Sequence, residues 1–156
     1  MSSNNIKTTD FRSNVLSFED QMSQMPGVKF GDMDECPLKH EFGDGLYVRT
    51  IFMPKGMLIV SKIHKWTHPA FIMSGKVSVL DETGIQVYSG PCAFMTKSGT
   101  KRVLYTHEDT VWTTVHVTKE TDLDKIEEEV IAKTFEEVDE RDLTNMLAHV
   151  SAGGLS

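Results

Sequence analysis

The chain has 156 residues, of which 39% are hydrophobic and 25% charged, as expected for one soluble globular domain with its own core. Its formal net charge of −7 argues against nucleic acid or an anionic membrane as the main partner, because both require a positive face. The two cysteines, Cys36 and Cys92, lie too far apart in sequence to suggest a disulfide framework or a cysteine-based metal site.

Residues 1–44 are polar and poorly periodic, and we expect them to form an N-terminal arm or covering segment. Within this arm the stretch before Pro26 predicts a short helix with Ser17 as its N-cap. The first residues contain no apolar core of a secretory signal, and no run approaches 18 apolar residues. We therefore expect a cytoplasmic protein that does not enter a membrane.

Residues 45–118 are rich in β-branched and aromatic side chains, in short runs that end at Gly, Pro or Asp. The predicted strands are LYVRTIFM, MLIVSKI, PAFIMS, KVSVL, IQVY, AFMT, RVLYT and TVWTTVHVT. Strand starts spaced by roughly 8–12 residues favour an antiparallel sandwich or barrel over βαβ units. The sequence therefore predicts an all-β fold.

Residues 119–156 change to a helical period and predict a C-terminal helical extension. In the first helix Thr121 and Asp124 have the spacing of a capping box. The apolar positions are Leu123, Ile126, Val130 and Ile131 in the first helix, and Leu143, Met146, Leu147 and Val150 in the second. Because isolated helices this short are marginal in water, we expect these stripes to dock on the barrel or on a neighbouring subunit.

Two histidines, His64 and His68, lie four residues apart in SKIHKWTHPAFIMSGK. Pro69 biases His68 towards an extended conformation, so the pair is expected where one strand ends and the next begins. His116 is the best third ligand, on one face of the alternating strand TVWTTVHVT together with Trp112. The opposite, valine-rich face is more apolar and is a candidate for the core, so the sequence leaves the orientation of this strand open.

The middle of the chain resembles the cupins, small β-barrels of jelly-roll type. Their first motif has a glycine, two histidines one residue apart, a glutamate and a second glycine. Gly56 and Gly75 match the two glycines, and His64 matches the second histidine. Lys62 stands at the first histidine and His68 at the glutamate. The resemblance implies a single cupin-type jelly-roll barrel between the N-terminal arm and the C-terminal helices.

The second cupin motif is matched in its frame by Gly90 and Gly99. Thr96 stands where proline is common, and Arg102 falls at or next to the third histidine. The family pattern of three histidines and one glutamate is therefore replaced by two histidines and two cations. Lys62 and Arg102 cannot ligate a metal ion, but they suit an anionic ligand such as a carboxylate, a phosphorylated sugar or a nucleotide.

A wider set of segments, HEFGDGLYVRTIFMPKG, KIHKWTHPAFIMSGKVSV and GTKRVLYTHEDTVWTTVHVTKETDLDKIE, resembles small cupin-like proteins commonly encoded by tailed bacteriophages. That set has no assigned reaction, so the resemblance implies a fold and a genomic context. For a phage protein the expected compartment is the host cytoplasm, with the virion as the alternative.

Three functions remain open at this point. The first is a metal-dependent enzyme in which His64, His68 and His116 hold a divalent transition metal, Zn, Fe, Mn or Ni. The second is a non-catalytic binder of a small anionic metabolite. The third is a structural or assembly protein that uses the barrel as a scaffold. No nucleophile elbow, phosphate-binding loop or Rossmann glycine set is present in the sequence.

The binding hypothesis assigns the ligand to Lys62 and Arg102, with the indoles of Trp66 and Trp112 beside them. We also expect a homodimer, because a small barrel has exposed sheet edges that must be covered and two-fold assemblies are the common form.

Overall fold

The structure is a computed structural model that describes residues 3–28 and 32–153. The ends of the predicted arm and extension, residues 1–2 and 154–156, and residues 29–31 within the arm lie outside the described residues. In chain order the elements are α1 (Ser3–Ser23), β1 (Leu38–Gly43), β2 (Leu46–Met53), β3 (Leu58–Val60), β4 (Ile63–His64), β5 (His68–Ser74), β6 (Lys76–Asp81), β7 (Gly84–Ser89), β8 (Cys92–Thr96), β9 (Val103–Thr106), β10 (Thr110–Val117), α2 (Leu123–Val130), β11 (Ile131–Ala132) and α3 (Phe135–Ser151).

The all-β prediction is confirmed, because each predicted apolar run forms a strand and every strand pairing is antiparallel. The run MLIVSKI is divided between β3 and β4. The turn from β5 to β6 depends on Gly75, which has a φ of +95°. A Cβ at this position would lie 2.7 Å from the Cα of Thr110 and closer still to the carbonyl oxygen of Asp109, so only glycine fits.

Two sheets face each other in a jelly-roll arrangement. One has the strand order β1-β2-β10-β5-β8, and the other has the order β3-β9-β6-β7. The core between them is formed by side chains from both sheets, including Met53, Ile72 and Trp112 from the first and Val77 and Leu104 from the second. Neither sheet of the described chain closes on itself, so the barrel consists of two open sheets packed face to face.

The N-terminal segment differs from its prediction. The expected short helix beginning at Ser17 is wrong, because α1 begins at Ser3 and Ser17 lies inside it. The helix has little apolar periodicity, and it is held instead by Phe11 and Val15, which pack beside Phe135 of α3. Strand β1 also lies in the predicted arm, so the five-stranded sheet begins ahead of residue 45.

The C-terminal helices form, but with different boundaries. Asp122, not Thr121, caps α2, and its carboxylate accepts hydrogen bonds from the backbone N–H groups of Asp124 and Lys125. The helix ends at Val130, because Ile131 begins β11 and pairs with β4. The helix α3 begins at Phe135, well before Leu143, the first apolar position of the predicted second helix. None of the helices in the described ranges is long and apolar enough to cross a membrane.

Candidate functional site

A cavity of about 870 Å³ opens between the two sheets. Its walls come from the inner faces of both sheets, and α1 and α2 also contribute side chains. The orientation of β10, which the sequence left open, is settled by this cavity. Trp112 and His116 are buried and line it, whereas Val117 on the opposite face is 84% exposed. The polar face of β10 is therefore inside and its valine-rich face is outside.

Three histidines meet beside this cavity, and two of them, His64 and His116, line its wall. His64 is placed by β4, which pairs with Ile131 of β11. Because Thr114 of β10 pairs with Ala70 of β5, the next inward positions along these two strands are His116 and His68. The ring centroids of His68 lie 4.7 Å from His64 and 4.5 Å from His116, and those of His64 and His116 lie 6.3 Å apart. The structure thus brings the predicted histidines together.

Two buried nitrogens of this cluster have no hydrogen-bond partner among the described residues. They are Nδ1 of His64 and Nε2 of His68. The other nitrogen of His68 is 3.0 Å from the carbonyl oxygen of Trp66, and Nε2 of His116 is 3.0 Å from the hydroxyl of Thr114. Because buried polar atoms are nearly always paired in native structures, the two free nitrogens mark a place that a water molecule, an ion or a ligand atom can occupy.

Burial keeps all three imidazoles neutral at pH 7. Desolvation lowers the pKa of His68, takes that of His64 well below its ordinary value, and takes that of His116 to about 4. The neighbouring His68, which resists a second positive charge beside it, and the charged Arg102 lower the pKa of His64 further. Neutral imidazoles offer one lone pair and one N–H each, so the cluster can both accept and donate hydrogen bonds.

Arg102 carries a buried positive charge next to this cluster. Its side chain lines the cavity, the residue is 4% exposed, and Nη2 donates to the hydroxyl of Thr96 at 2.6 Å. The guanidinium also lies over the rings of Trp112 and Phe94, at 5.2 and 5.9 Å from their centroids.

Desolvation lowers the pKa of Arg102 to about 10, so the guanidinium stays charged at neutral pH. In residues 3–28 and 32–153 every ion pair involves another basic side chain, and no carboxylate pairs with Arg102.

The strand β2 adds two cavity residues that the sequence analysis missed, Tyr47 and Arg49. The hydroxyl of Tyr47 is 2.6 Å from Nδ1 of His40, and its ring stacks on His116 at 5.9 Å between centroids. The guanidinium of Arg49 is 3.9 Å from a carboxylate oxygen of Asp32, a long ion pair. The alternation of LYVRTIFM was the available signal, because it places residues 47, 49, 51 and 53 on one face.

The other predicted ligand residues take different positions. Lys62 lies on the cavity wall, but its ammonium group pairs with the carboxylate of Glu127 in α2. Trp66 is half exposed and lies away from the cavity, where its indole N–H donates to the carbonyl oxygen of Glu129. The guanidinium of Arg141 stacks on this indole, 4.2 Å from the ring centroid. Both residues thus hold C-terminal helices, whereas Trp112 and Arg102 are together at the cavity.

Comparison with solved structures places this arrangement of sheets among known folds. KdgF from Halomonas sp. is similar over 62% of this chain and 93% of its own, with 14% identity and a TM-score of 0.50. Ectoine synthase from P. lautus is similar over 65% of this chain and 77% of its own, with 15% identity and a TM-score of 0.50. The fold is cupin-like. At these identities the similarity shows the fold alone.

A weaker similarity joins the chain to the cupin domain of Schizosaccharomyces pombe Cnp3, with 16% identity, a TM-score of 0.48 and coverage of 69% and 80% of the two chains. No protein-family model matches the sequence, and no curated protein matches it.

The ligand positions of the cupin pattern are only partly brought together in this cupin-like fold. The imidazoles of His64 and His68 and the guanidinium of Arg102 converge, and Lys62 turns to α2. Within the described ranges no three His, Cys, Asp or Glu side chains are arranged to hold a metal ion.

Proposed function

We propose that this cupin-like protein binds a small anionic molecule in its cavity, with Arg102 as the main anchor. The observation that carries the proposal is a guanidinium that is 4% exposed and has no carboxylate partner in the described chain. Asp81 favours the charged guanidinium only from beyond ion-pair distance. A buried charge without a direct ion-pair partner is costly, and a bound anion would supply that partner. The cavity volume of about 870 Å³ falls within the range of roughly 300–1,000 Å³ that is usual for small-molecule sites.

The chemistry of the cavity favours a carboxylate or phosphate group. A guanidinium presents five N–H donors in a planar fork, and the protein uses one nitrogen of Arg102 to bond Thr96. The remaining donors can bind an anion in bidentate fashion. Nδ1 of His64 would donate to the same anion in the tautomer that places the hydrogen there. Nε2 of His68 presents a lone pair, because its Nδ1–H is donated to the carbonyl oxygen of Trp66. Arg49 adds a second positive charge to the wall.

A divalent transition metal is the second candidate ligand, and the two unpartnered imidazole nitrogens favour it. Around a tetrahedral Zn²⁺ with Zn–N bonds of about 2.0–2.1 Å, imidazole centroids lie roughly 5 Å apart. The separations of 4.5 to 6.3 Å observed among His64, His68 and His116 are near this size, although the three side chains as they stand do not form a metal site. These three residues would hold the ion, after His116 releases the Thr114 hydroxyl, and an anion would bridge to Arg102. Such an ion would polarise an oxygen of the bound molecule.

Calorimetric titration with carboxylates and phosphorylated sugars tests the anion proposal. Native mass spectrometry of freshly purified protein would first show any ligand carried through purification. We expect Arg102→Met to weaken binding of the best anion at least tenfold. Arg141→Met is the matched control, because that guanidinium also stacks on an indole but lies outside the cavity. Equal affinities of wild type and Arg102→Met would contradict the proposal.

Metal binding is tested separately on metal-free protein with Zn, Mn, Fe(II) and Ni. Binding that is weaker than about millimolar, roughly 4 kcal/mol, would rule out a metal centre. If binding is tighter, we expect His64→Ala and His68→Ala to abolish it. His107→Ala is the control, because His107 is bonded to Ser78 away from the cluster.

A further inference from the structure

The outer face of the five-stranded sheet is apolar across four adjacent strands. Its side chains point away from the cavity, on the opposite side of each strand from the residues that line the cavity or the core. They are Leu46, Val48, Thr50 and Phe52 of β2, Val111, Thr113, Val115 and Val117 of β10, Pro69, Phe71 and Met73 of β5, and Ala93 and Met95 of β8. We call this set the outer sheet face.

Nothing charged interrupts the outer sheet face. The hydroxyls of Thr50 and Thr113 lie 2.9 Å apart and hydrogen-bond to each other. Ser74, which pairs with Val111 across a register shift, adds a hydroxyl at the end of β5. Met73, Met95 and Val117 are 55%, 61% and 84% exposed. An antiparallel sheet with one solvated face normally presents polar residues to the water, and large exposed apolar patches mark interaction sites.

We propose that the outer sheet face is a homodimer interface, on which a second copy of the same chain packs face to face about a two-fold axis. A two-fold axis brings identical surfaces together, so an uncharged, flat, apolar sheet is complementary to itself. Two such sheets pack about 10 Å apart with interdigitated side chains, as in a β-sandwich. Each chain has a net charge of −7, and this face lets two copies meet without opposing carboxylates.

The flat area of the face falls just short of what a specific interface needs, before the relief of its side chains is counted. Four strands spaced about 4.8 Å apart, with about 3.3 Å per residue, cover roughly 450 Å² in projection on each copy. Two copies give roughly 900 Å² before the relief of the side chains is added, close to the ~1,000 Å² that a specific interface needs.

The edge of the face has the polar character of an interface rim. On β1, Lys39 pairs with Thr50 and Glu41 with Val48 in the strand register, so both side chains lie on the outer side. Their charged groups form an ion pair at 3.2 Å. An apolar centre with a polar, solvent-accessible rim is the usual composition of a protein interface.

A second exposed apolar surface competes for the same role. It is the stripe on α3 formed by Leu143, Met146, Leu147 and Val150, all of them well exposed. This stripe is one helix wide, and its N-terminal end adjoins the acidic residues Asp139 and Glu140. The outer sheet face is wider and uncharged, and we therefore assign the dimer contact to the sheet and treat α3 as the alternative.

Sedimentation velocity at about tens of micromolar tests the proposal. We expect the wild type to sediment with twice the 17.5 kDa mass of the chain and Met73→Lys/Val117→Lys to sediment as a monomer. The matched control is Ile85→Lys/Val87→Lys on β7 of the other sheet, where the same kind of side chain is 70% and 55% exposed. This control should remain a dimer. Circular dichroism and thermal unfolding verify that each variant is folded.

Mixing opposite charges gives a positive test of the same surface. The lysine pair at Met73 and Val117 mixed with a glutamate pair at the same positions should recover the dimer mass, although each is a monomer alone. If the lysine pair fails to fold, Met95→Lys on the edge strand β8 replaces it and should raise the dimer dissociation constant at least tenfold.

Four results would overturn the proposal. The first is a wild type that sediments as a monomer, whether or not it co-sediments with phosphatidylcholine vesicles. The second is a folded Met73→Lys/Val117→Lys variant that stays dimeric. The third and fourth are dissociation of the dimer by Ile85→Lys/Val87→Lys on β7 and by Met146→Lys/Leu147→Lys on α3.

Discussion

Replacing Arg102 by methionine tests whether this residue binds a ligand or stabilises the fold. Most buried charges are paired, and removing one member of a buried ion pair costs about 3–5 kcal/mol. Arg102 has no such partner in the described chain, so its removal leaves no carboxylate behind. We expect Arg102→Met to weaken anion binding at least tenfold while changing the free energy of unfolding by less than about 1 kcal/mol.

The magnitude follows from three contributions. Burial lowers the pKa of Arg102 from 12.5 to about 10, which at about 1.36 kcal/mol per unit is a cost of roughly 3 kcal/mol. Because the folded-state pKa is the lower one, this cost applies at every pH below about 10 and is relieved only as the pH rises above that value. Against it stand the charged hydrogen bond to Thr96, about 1.5–3 kcal/mol, and two distant ring contacts of about 0.5 kcal/mol each.

The cost and the gains for Arg102 nearly cancel, and methionine keeps the apolar packing against the two rings. Urea unfolding followed by far-ultraviolet circular dichroism measures the difference. Thr96→Val combined with Arg102→Met controls for the hydroxyl that loses its donor, and it should be at least as stable as Arg102→Met alone. A loss of 3–5 kcal/mol in both variants would show that Arg102 is a structural residue, and the reasoning above would be wrong.

Three further outcomes are expected. The folded-state pKa of His116, about 4, lies below its unfolded value of 6.5, so stability is full above pH 6.5 and falls as the pH drops towards 4. In chelator-treated protein the loss from pH 7 to 5 attributable to His116 should be about 2 kcal/mol, and urea unfolding of His116→Gln should show a flatter profile. Gly75→Ala should prevent folding, as judged by circular dichroism, whereas Gly56→Ala, with a φ of +83° and open space around it, should fold with a loss of only about 1–2 kcal/mol. Asp122→Ala should lower the thermal midpoint by removing the cap of α2, at a cost of about 1 kcal/mol.

The strands of the middle zone were predictable because each carries a local signal at both ends. Glycine, proline or aspartate stops nearly every run, and the β-branched composition between the stops favours an extended chain. Strand β1 lacks that signal, because Lys39 and Glu41 occupy the outward positions that are apolar on β2. Helix α1 was underestimated for a related reason, since its sequence has no apolar stripe, although Phe11 and Val15 among its described side chains reach the core.

The positions of the site residues were predictable only where the sequence spacing between two residues determines how their side chains are placed. His64 and His68 flank a strand junction, and the alternation along β10 left His116 with one of two possible directions. Tyr47 and Arg49 were missed, because they lie in an apolar run that gives no sign of lining a polar cavity. The docking of Trp66 and Lys62 on C-terminal helices depends on contacts about 60 residues away along the chain, which no local pattern encodes.

Strand β10 shows why the choice of its inner face could not be made from local hydrophobicity. Burial favours the valine face, yet His116 faces the cavity and Val117 faces outwards. Both orientations are explained if a polar ligand occupies the inner face of β10 and an apolar partner covers its outer face. Because the inner face of β10 contributes to a polar cavity beside Arg102 and the three imidazoles, the valines of this strand are not buried in the core. Packing of the outer sheet face against a second copy would bury them instead. The proposed ligand and the proposed dimer thus account for opposite faces of the same strand, and each has an independent test.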